Sequence, residues 1–438
     1  MSERRVLVVG GGLAGITAAL DCAAGGMSVT LVDVRPRLGG AAYSFERDGL
    51  WLDNGQHVFL RCCTAYRALL QRIGSSQRVR LQERLEIPVL KPHCDPVWLR
   101  RSALPAPLHL AGTLLRYKHL RVRERLAAIA AAQALRRLEP GEGRLEEQTF
   151  GQWLGERGQG EHALAALWDL IALPTLNLPA RDASLALSAF VFKTALFAAR
   201  DAGDIGFHER PLSEVIGEPA LEALRGAGVQ VKLKWRAQSL QKTAEGVELR
   251  GGEQEGLSAE AAIIALPHQR AAGLLGDALA GELDSLAGLG NSPIVNLHLI
   301  YDRPVCEFPF AAGVGTPIQY VFDRTAAARL ASGQYLAISL SGATQDAHAD
   351  ADRLRERYLP AMAELFPRAR EAKLEGFFVS REHAATFRAA PGSAALRPGP
   401  ATSLAAIALA GSWTDTGWPA TLEGAVLSGH AAAAQVLL

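Results

Sequence analysis

Cysteine is scarce in this chain of 438 residues, which has Cys22, Cys62, Cys63, Cys94 and Cys306 and no C-x-x-C pair. Zinc ribbons and thioredoxin-like redox motifs both depend on such pairs, so the sequence predicts neither. The number of cysteines is odd and their spacing is irregular. This favours free thiols in a reducing compartment over a disulfide framework.

The chain also lacks an excess of charge and a long apolar run. Its formal net charge is +1, from 46 Lys and Arg against 45 Asp and Glu, so it has no overall attraction for nucleic acid and no nucleic-acid partner is expected. The most apolar stretch, ASLALSAFVFKTALFAA, contains Lys193 near its middle, so no membrane span is predicted. The length predicts more than one domain.

The first 34 residues contain a nucleotide-binding pattern. RVLVVG is typical of a strand buried on both faces, LAGITAALDCAAGG of a helix, and SVTLVDV of a second strand. Gly10, Gly12 and Gly15 form G-x-G-x-x-G at the turn, where the backbone can approach a pyrophosphate at a helix N-terminus. Asp33 ends the second strand, where a carboxylate can bind a ribose 2′-OH. The alternative is a glycine-rich turn that binds nothing.

The residues after this acid extend the pattern. DVRPRLGG places Arg35 and Arg37 before Gly39 and Gly40, and arginines can clamp phosphate and sugar while paired glycines allow a close backbone approach. A solvated basic turn is the other interpretation.

The C-terminal segment LAGSWTDTGWPATLEGAVLSGHAAA predicts a strand that Gly411 closes and a helix that Thr421, Glu423 and Gly424 open. Such a helix start could face the polar end of a flavin, or the helix could serve packing alone. Nucleotide-binding elements thus occur at both ends of the chain. We predict a discontinuous nucleotide-binding domain at 1–80, 205–270 and 396–438, with a substrate-binding domain at 81–204 and 271–395. Residues 103–200 are predicted to be mostly helical.

These motifs together resemble the FAD-dependent amine oxidase and carotenoid desaturase superfamily. The resemblance implies FAD as cofactor and an α/β fold: a Rossmann-like FAD-binding domain of the GR2 type, interleaved with an α+β substrate domain that contains a mixed or antiparallel sheet and a helical subdomain. The chain departs from the family pattern at Ser412, where the family usually has an acid. Asp415, three residues further on, is a candidate replacement for that acid. The FAD contacts implied are Gly10, Gly12, Leu13, Ala14, Gly15, Asp33, Val34, Arg35, Gly39, Gly40, Ala41, Gly55, Gln56, His57, Ala237, Gly411, Ser412, Pro419, Ala420 and Thr421.

A narrower similarity runs through LDNGQHVFLRCCTAYRALLQRIG, LIALPTLN, SPIVNLHLIYDRPV and TGWPATLEGAVLSG. These stretches resemble the hydroxysqualene dehydroxylase family of hopanoid and related triterpene pathways. The resemblance implies reductive loss of the allylic hydroxyl of hydroxysqualene, with hydride from reduced flavin N5, and therefore an electron donor whose identity the sequence does not indicate.

The leaving oxygen needs a proton, and the candidate donors near the flavin are Asp53, His57 and Asp415. His57 titrates near neutrality when unperturbed, which suits an acid, but it could equally be a structural histidine. Asp53 could instead brace the Asn-Gly turn. Cys62 and Cys63 are expected to be buried thiols rather than metal ligands or nucleophiles, and no metal site is predicted.

A C30 hydrocarbon needs a long apolar tunnel, and helices within 160–200 are rich in apolar side chains. These residues could line the tunnel or simply form core; the candidates are Trp168, Leu173, Leu176, Phe190, Phe192 and Phe197.

The segment 108–126, LHLAGTLLRYKHLRVRERL, mixes leucines with five basic residues and one acid. It could be a solvated helix face, or it could lie on an anionic membrane. With an apolar substrate, we expect a cytoplasmic protein that is peripheral on the inner face of the cytoplasmic membrane. Other functions left open are an oxidative phytoene-type polyene desaturase, an amine oxidase, and a flavin-bearing scaffold without activity.

Overall fold

The computed structural model describes residues 4–252, 254–276, 278–279 and 281–438. The strands are β1 (Arg5–Val9), β2 (Ser28–Asp33), β3 (Ser44–Arg47), β4 (Leu50–Asp53), β5 (Val58–Leu60), β6 (Val79–Leu81), β7 (Glu86–Leu90), β8 (Val97–Arg100), β9 (Ile205–His208), β10 (Gln230–Leu233), β11 (Ser239–Thr243), β12 (Gly246–Gly251), β13 (Gln254–Ala259), β14 (Ala261–Ile264), β15 (Ser292–Tyr301), β16 (Phe310–Gly313), β17 (Tyr320–Asp323), β18 (Gln334–Ser341), β19 (Leu374–Thr386) and β20 (Ile407–Leu409). The α-helices are α1 (Leu13–Ala24), α2 (Thr64–Arg72), α3 (Ala111–Arg116), α4 (Val122–Leu135), α5 (Phe150–Gly155), α6 (Glu161–Ala163), α7 (Asp169–Leu176), α8 (Leu185–Phe192), α9 (Glu218–Gly226), α10 (His268–Leu275), α11 (Ala351–Leu365) and α12 (Leu422–Leu437).

A parallel sheet brings distant parts of the chain together. Its strand order is β10-β2-β1-β14-β20, and every pairing between neighbours is parallel. The central strand β1 is buried along Val6–Val9. Val6 and Val8 pack with the side chains of α1 and α12, and Leu7 and Val9 belong to the core that includes the β11-β12-β13 sheet. Burial on both faces explains the continuous apolar sequence of β1. The α/β class predicted from the sequence is confirmed.

Helices α1 and α12, from opposite ends of the chain, pack against each other over this sheet. A side chain at Gly429 would collide with the carbonyl oxygen of Ala14, so glycine there permits a close helix–helix approach. This contact fixes the start of α1, and with it the glycine turn, relative to the C-terminal segment.

A seven-stranded mixed sheet, β19-β15-β18-β17-β16-β7-β8, forms the second layer. Its long strands β15, β18 and β19 are antiparallel, and β16 pairs with β7 in parallel. Smaller sheets are β11-β12-β13, β3-β4 and β5-β9-β6. Strand β9, at the start of the predicted segment 205–270, therefore pairs with β5 and β6 and not with the parallel sheet. The limits of the two domains stay a prediction.

The region 103–200 contains α3 to α8 and no strand of the named sheets. Its side chains join a large apolar core that includes Phe150, Trp168 and Phe192. Within the described ranges, no helix combines the length and the apolar character that crossing a bilayer requires.

Candidate functional site

The turn between β1 and α1 forms a cradle of backbone atoms. Gly10 has φ of +115°, a conformation that glycine adopts at no steric cost. Gly12 precedes α1 and has no side chain to cap it, so the N–H groups of the first helical turn point into the space above the turn. A side chain on Gly40 would come within 2.7 Å of the Gly12 Cα atom. The two glycine segments thus approach each other so closely that a side chain on Gly40 would not fit.

Asp33 ends β2 beside this cradle. Its carboxylate accepts hydrogen bonds from the backbone N–H of Gly11, at 2.6 Å, and of Arg35, at 2.7 Å. These bonds fix the carboxylate at the carboxyl edge of the parallel sheet, where ligands bind in folds of this type. The Arg37 guanidinium lies 3.5 Å from the ring centre of Tyr43, which holds the basic turn in place.

A cavity of about 1200 Å³ extends from this cradle into the helical region. It brings together nearly all the residues that the family resemblance implies for FAD. Those lining it are Gly10, Gly12, Leu13, Ala14, Asp33, Val34, Arg35, Gly39, Gly40, Ala41, Gly55, Gln56, His57, Ala237, Gly411, Ser412, Pro419, Ala420 and Thr421. Gly15 is not among them, because it packs against the carbonyl oxygen of Gly10 and brings α1 close to β1.

The other end of the cavity is apolar. Trp168, Phe190, Phe192 and Phe197 line it, as the tunnel hypothesis expects. Leu173 and Leu176 do not; Leu176 is buried in the protein core with 2% of its surface exposed. The inner faces of α3, of the 3-10 turn before it and of α4 complete this end with Leu110, Leu114, Ala128, Ile129 and Ala132.

Two of the three candidate proton donors lie outside the cavity lining. Asp53 is buried, and its carboxylate accepts from Arg324 Nη2 at 2.7 Å, from Ser44 Oγ at 2.7 Å and from the Leu212 N–H at 3.0 Å. Asp415 is exposed and accepts from the Gly417 N–H. Asp53 therefore fixes the loop that follows β4, and Asp415 does not occupy the place of the acid that Ser412 replaces.

His57 is the candidate that faces the cavity. Its Nδ1–H donates to the Gly55 carbonyl oxygen at 3.0 Å, which leaves Nε2 as the acceptor of a neutral imidazole. Burial lowers the pKa of His57 below its ordinary value. The ring is therefore neutral at pH 7, and its protonated form is a stronger acid than a histidine in water.

Cys62 and Cys63 also line the cavity, beside the start of α2. The neighbouring Cys63 thiol lowers the pKa of Cys62, whereas the Cys62 thiol and burial raise the pKa of Cys63. Cys63 is buried, as expected, whereas Cys62 is only half-buried. All five cysteines are free, and the described residues contain no cluster of three or more His, Cys, Asp or Glu side chains that could hold a metal.

A polar group that the sequence did not identify surrounds Gly55. Asn296, on β15, is fully buried; its Nδ2 donates to the Asn54 carbonyl oxygen at 3.1 Å. Asn54 in turn donates to Glu382 Oε1 at 2.8 Å. The available signal was a single amide in the apolar stretch SPIVNLHLIY. The sequence around Glu382 contained no motif that marked it as a site residue, because the pairing of β19 with β15 is what brings it to the site.

Several polar atoms at the cavity wall are buried without a hydrogen-bond partner in the described part of the chain: Gln56 Nε2, His268 Nε2, Asn291 Oδ1 and Asn296 Oδ1. Buried polar groups are normally paired, so these atoms indicate a polar ligand. Together with the glycine cradle and Asp33, they fit a dinucleotide that carries a polar ring system. The residues present therefore fit FAD.

Comparison with known proteins agrees with this geometry. The family described as flavin containing amine oxidoreductase matches residues 13–437. Hydroxysqualene dehydroxylase of Rhodopseudomonas palustris is 28% identical over 99% of this chain and 99% of that protein. Zeta-carotene desaturase of a Synechocystis species is 25% identical over 99% of this chain and 97% of that protein.

Solved structures share the fold. An oxidoreductase from Methanosarcina mazei has a TM-score of 0.75 at 16% identity, with 97% of this chain and 99% of that chain covered. A putrescine oxidase variant redesigned in its cofactor site has a TM-score of 0.74 at 19% identity, with 99% and 98% covered. The chain belongs to the flavin-containing amine oxidoreductase family and is an FAD-dependent oxidoreductase.

Proposed function

We propose that the chain reductively removes the allylic hydroxyl of hydroxysqualene to give squalene. One observation carries this proposal: a single cavity joins the glycine cradle to an apolar region walled by α3, α4, α7 and α8. Its volume of about 1200 Å³ exceeds the roughly 300–1000 Å³ of pockets for one drug-sized ligand. A cofactor and a long hydrocarbon can therefore share it. Similarity to hydroxysqualene dehydroxylases over almost the whole chain supports the same substrate class.

The residues proposed to hold FAD are those of the cradle and its surroundings. The N–H groups at the start of α1 and the backbone of Gly10 and Gly12 would bind the pyrophosphate, and the Asp33 carboxylate the ribose. Residues Gly411 to Thr421 would contact the ring system, with Gln56 offering its unpaired Nε2 amide group. When bound and reduced, FAD supplies a hydride, which is chemistry that amino-acid side chains cannot provide.

The chain's own residues must hold the substrate and supply a proton. The reaction breaks the C–O bond and forms a C–H bond, and the hydroxyl leaves as water after taking one proton. His57 is the proposed donor because, of the three candidates, it faces the cavity. Its lowered pKa makes the imidazolium a strong acid, although only a small fraction is protonated at neutral pH. The Asn296 Oδ1 atom can accept a hydrogen bond from the substrate hydroxyl and orient it.

The test is an anaerobic assay. Protein reduced with dithionite is incubated with hydroxysqualene, and the products are separated and identified by mass spectrometry. We expect squalene in proportion to reduced enzyme, and none with oxidised enzyme. Failure to form squalene with fully flavin-loaded, reduced protein would contradict the proposal.

An oxidative polyene desaturase is the second candidate, and the similarity to zeta-carotene desaturase supports it. In that reaction the substrate loses a hydride and a proton from adjacent carbons, and a quinone or oxygen accepts the electrons. The same cavity would hold a polyene. Incubation of oxidised protein with zeta-carotene and a quinone separates the two functions, because a new conjugated double bond would be seen in the absorbance spectrum.

A further inference from the structure

Large apolar side chains are exposed on one short region of the molecule. Leu104, Leu108, Leu115, Val122 and Leu126 have between 51% and 65% of their surface exposed. In the described ranges, the other exposed large apolar residues are Val34, Trp98, Leu437 and Leu438. We call residues 104–126 the hairpin surface, because α3 and the start of α4 form most of it and pack on each other. Such a concentration of exposed apolar area marks an interaction site.

The spacing of these residues places them together. Leu108 and Leu115 are seven residues apart, across a 3-10 turn (Leu108–Leu110) that leads directly into α3. Val122 and Leu126 are four residues apart on α4. Residues spaced by about one or two helical turns share a face. The 3-10 turn and α3 thus present Leu108 and Leu115 outward, and α4 presents Val122 and Leu126.

Positive charges accompany the apolar residues. Arg116, Lys118, Arg121 and Arg123 are exposed, and none forms an ion pair with the residues that the structure describes. The acid in this stretch is Glu124, whose carboxylate already binds His162 and the Arg121 backbone N–H. The hairpin surface therefore carries a net positive charge that nothing described in the protein neutralises.

A second cleft, of about 990 Å³, lies beside the hairpin surface. Basic side chains outnumber acidic ones around it. The basic ones are Lys91, Arg116, Lys118 and Arg370, against Asp95 and Glu364. Such a cleft favours an anionic group, and its contents of arginine and lysine suit a phosphate ester.

The hairpin surface is also the outer end of the main cavity. Leu108 is 53% exposed and at the same time lines that cavity. Behind it, Leu110 lines the cavity from the same 3-10 turn, Leu114 from α3 and Ile129 from α4. Leu108 therefore lies where the cavity reaches the protein surface, next to the other exposed apolar residues of the hairpin surface.

We propose that the hairpin surface docks on an anionic phospholipid bilayer, with the cavity opening turned toward the acyl chains. Exposed leucines next to unpaired basic residues match the two layers of a membrane surface, where apolar side chains enter the acyl boundary and basic ones stay among the phosphates. A protein partner would have no need for an opening into a hydrocarbon-lined cavity. The role of that opening as a substrate route depends on the proposed function, whereas membrane binding itself does not.

The test measures binding to vesicles by co-sedimentation, using the full-length flavin-loaded protein. Vesicles of phosphatidylcholine alone are compared with vesicles that contain phosphatidylglycerol. We expect binding to the anionic vesicles, and loss of it at high salt. Two variants divide the contributions: Arg121→Gln with Arg123→Gln removes charge, and Leu115→Ser with Val122→Ser removes apolar area. The charge variant should lower the partition coefficient roughly 25-fold, at about fivefold per basic residue near an anionic surface.

A matched control is Arg353→Gln with Arg355→Gln, which removes two exposed arginines of the same spacing from α11. It should bind like the unmodified protein. Equal binding of all variants, or no binding to anionic vesicles, would overturn the proposal. Squalene formation from detergent-solubilised substrate is measured separately. If docking is lost in the variants but no protein forms squalene, then docking stands and the proposed reaction fails.

Discussion

The Glu423 carboxylate, on the last helix, accepts hydrogen bonds from the backbone N–H groups of Tyr66, at 2.7 Å, and Ala65, at 2.9 Å, on the first turn of α2. A side chain 357 residues away thus caps a helix that has no side-chain cap of its own. Burial raises the pKa of Glu423, and the N–H bonds oppose that rise. The pair connects the two ends of the flavin-binding region.

Replacing Glu423 by alanine should therefore destabilise the protein. Two charge-assisted bonds are lost, and the buried Tyr66 N–H and the partly buried Ala65 N–H are left unpaired, at a cost of about 3 kcal/mol. Urea unfolding monitored by circular dichroism measures the change. Glu222→Ala, which removes an exposed carboxylate from α9, is the control and should change the free energy of unfolding by less than about 0.5 kcal/mol.

The cradle predicts a graded effect of substitution at Gly12. Its φ of −79° and ψ of 179° are open to any residue, and an added Cβ would lie 3.7 Å from the Gly40 Cα atom. Gly12→Ala should therefore fold and keep part of its flavin. Gly12→Val should fold but purify without visible flavin absorbance, because the branched side chain fills the pyrophosphate position. Full flavin content in Gly12→Val would show that the cofactor binds elsewhere.

Two buried histidines predict a loss of stability in acid. Burial lowers the pKa of both His208 and His298 to about 3, whereas in the unfolded chain a histidine titrates near 6.5. The unfolded state therefore binds more protons between these values, so stability falls as the pH decreases from 6.5 toward 3. Each of the two histidines should make the free energy of unfolding about 2 kcal/mol lower at pH 5 than at pH 8.

Urea unfolding at pH 8 and pH 5 measures this loss. His298→Gln, which cannot titrate, should show a smaller difference between the two values. His383→Gln replaces an exposed histidine and should retain the full difference. An unchanged pH dependence in His298→Gln would contradict the assignment.

The role of His57 can be read from a pH–rate profile. Burial lowers the pKa of His57 below 6.5. The protonated fraction of His57 should therefore rise as the pH falls below 6.5, and the reaction rate should rise with it. His57→Gln should lose this acidic limb and be slower by about 10²- to 10⁴-fold, with its flavin spectrum unchanged. A purely structural role would leave the shape of the profile intact.

The parts of the site that are local in sequence were predictable. The glycine cradle and Asp33 lie within one βαβ unit, where each residue's role follows from its place in the turn. The polar group around Gly55 could not be predicted from the sequence, because Asn54 contacts Asn296 and Glu382 across separations of 242 and 328 residues. No periodicity in the sequence indicates that β15 and β19 pass beside the loop after β4.

The sequence also could not predict which side chains of the helices within 160–200 face the cavity. A π-helical segment, Leu164–Trp168, precedes α7. Its wider turn shifts the side chains that follow relative to a regular helix of 3.6 residues per turn. Trp168 and Leu176 are both buried in the core, but Trp168 lines the cavity and Leu176 does not. Whether a given apolar side chain lines the cavity or only packs in the core could be decided only from the three-dimensional backbone.

The parallel sheet has a consequence for biosynthesis. Its second strand ends at residue 33, but β20, which completes it, spans Ile407–Leu409. At about 5–20 residues per second, the ribosome needs roughly 20 to 75 s to make the intervening chain. Through that interval β1 lacks its partner β14 for most of the time, and α1 lacks α12. The nascent N-terminal unit therefore spends much of translation with an open strand edge, which is the kind of surface that chaperones bind.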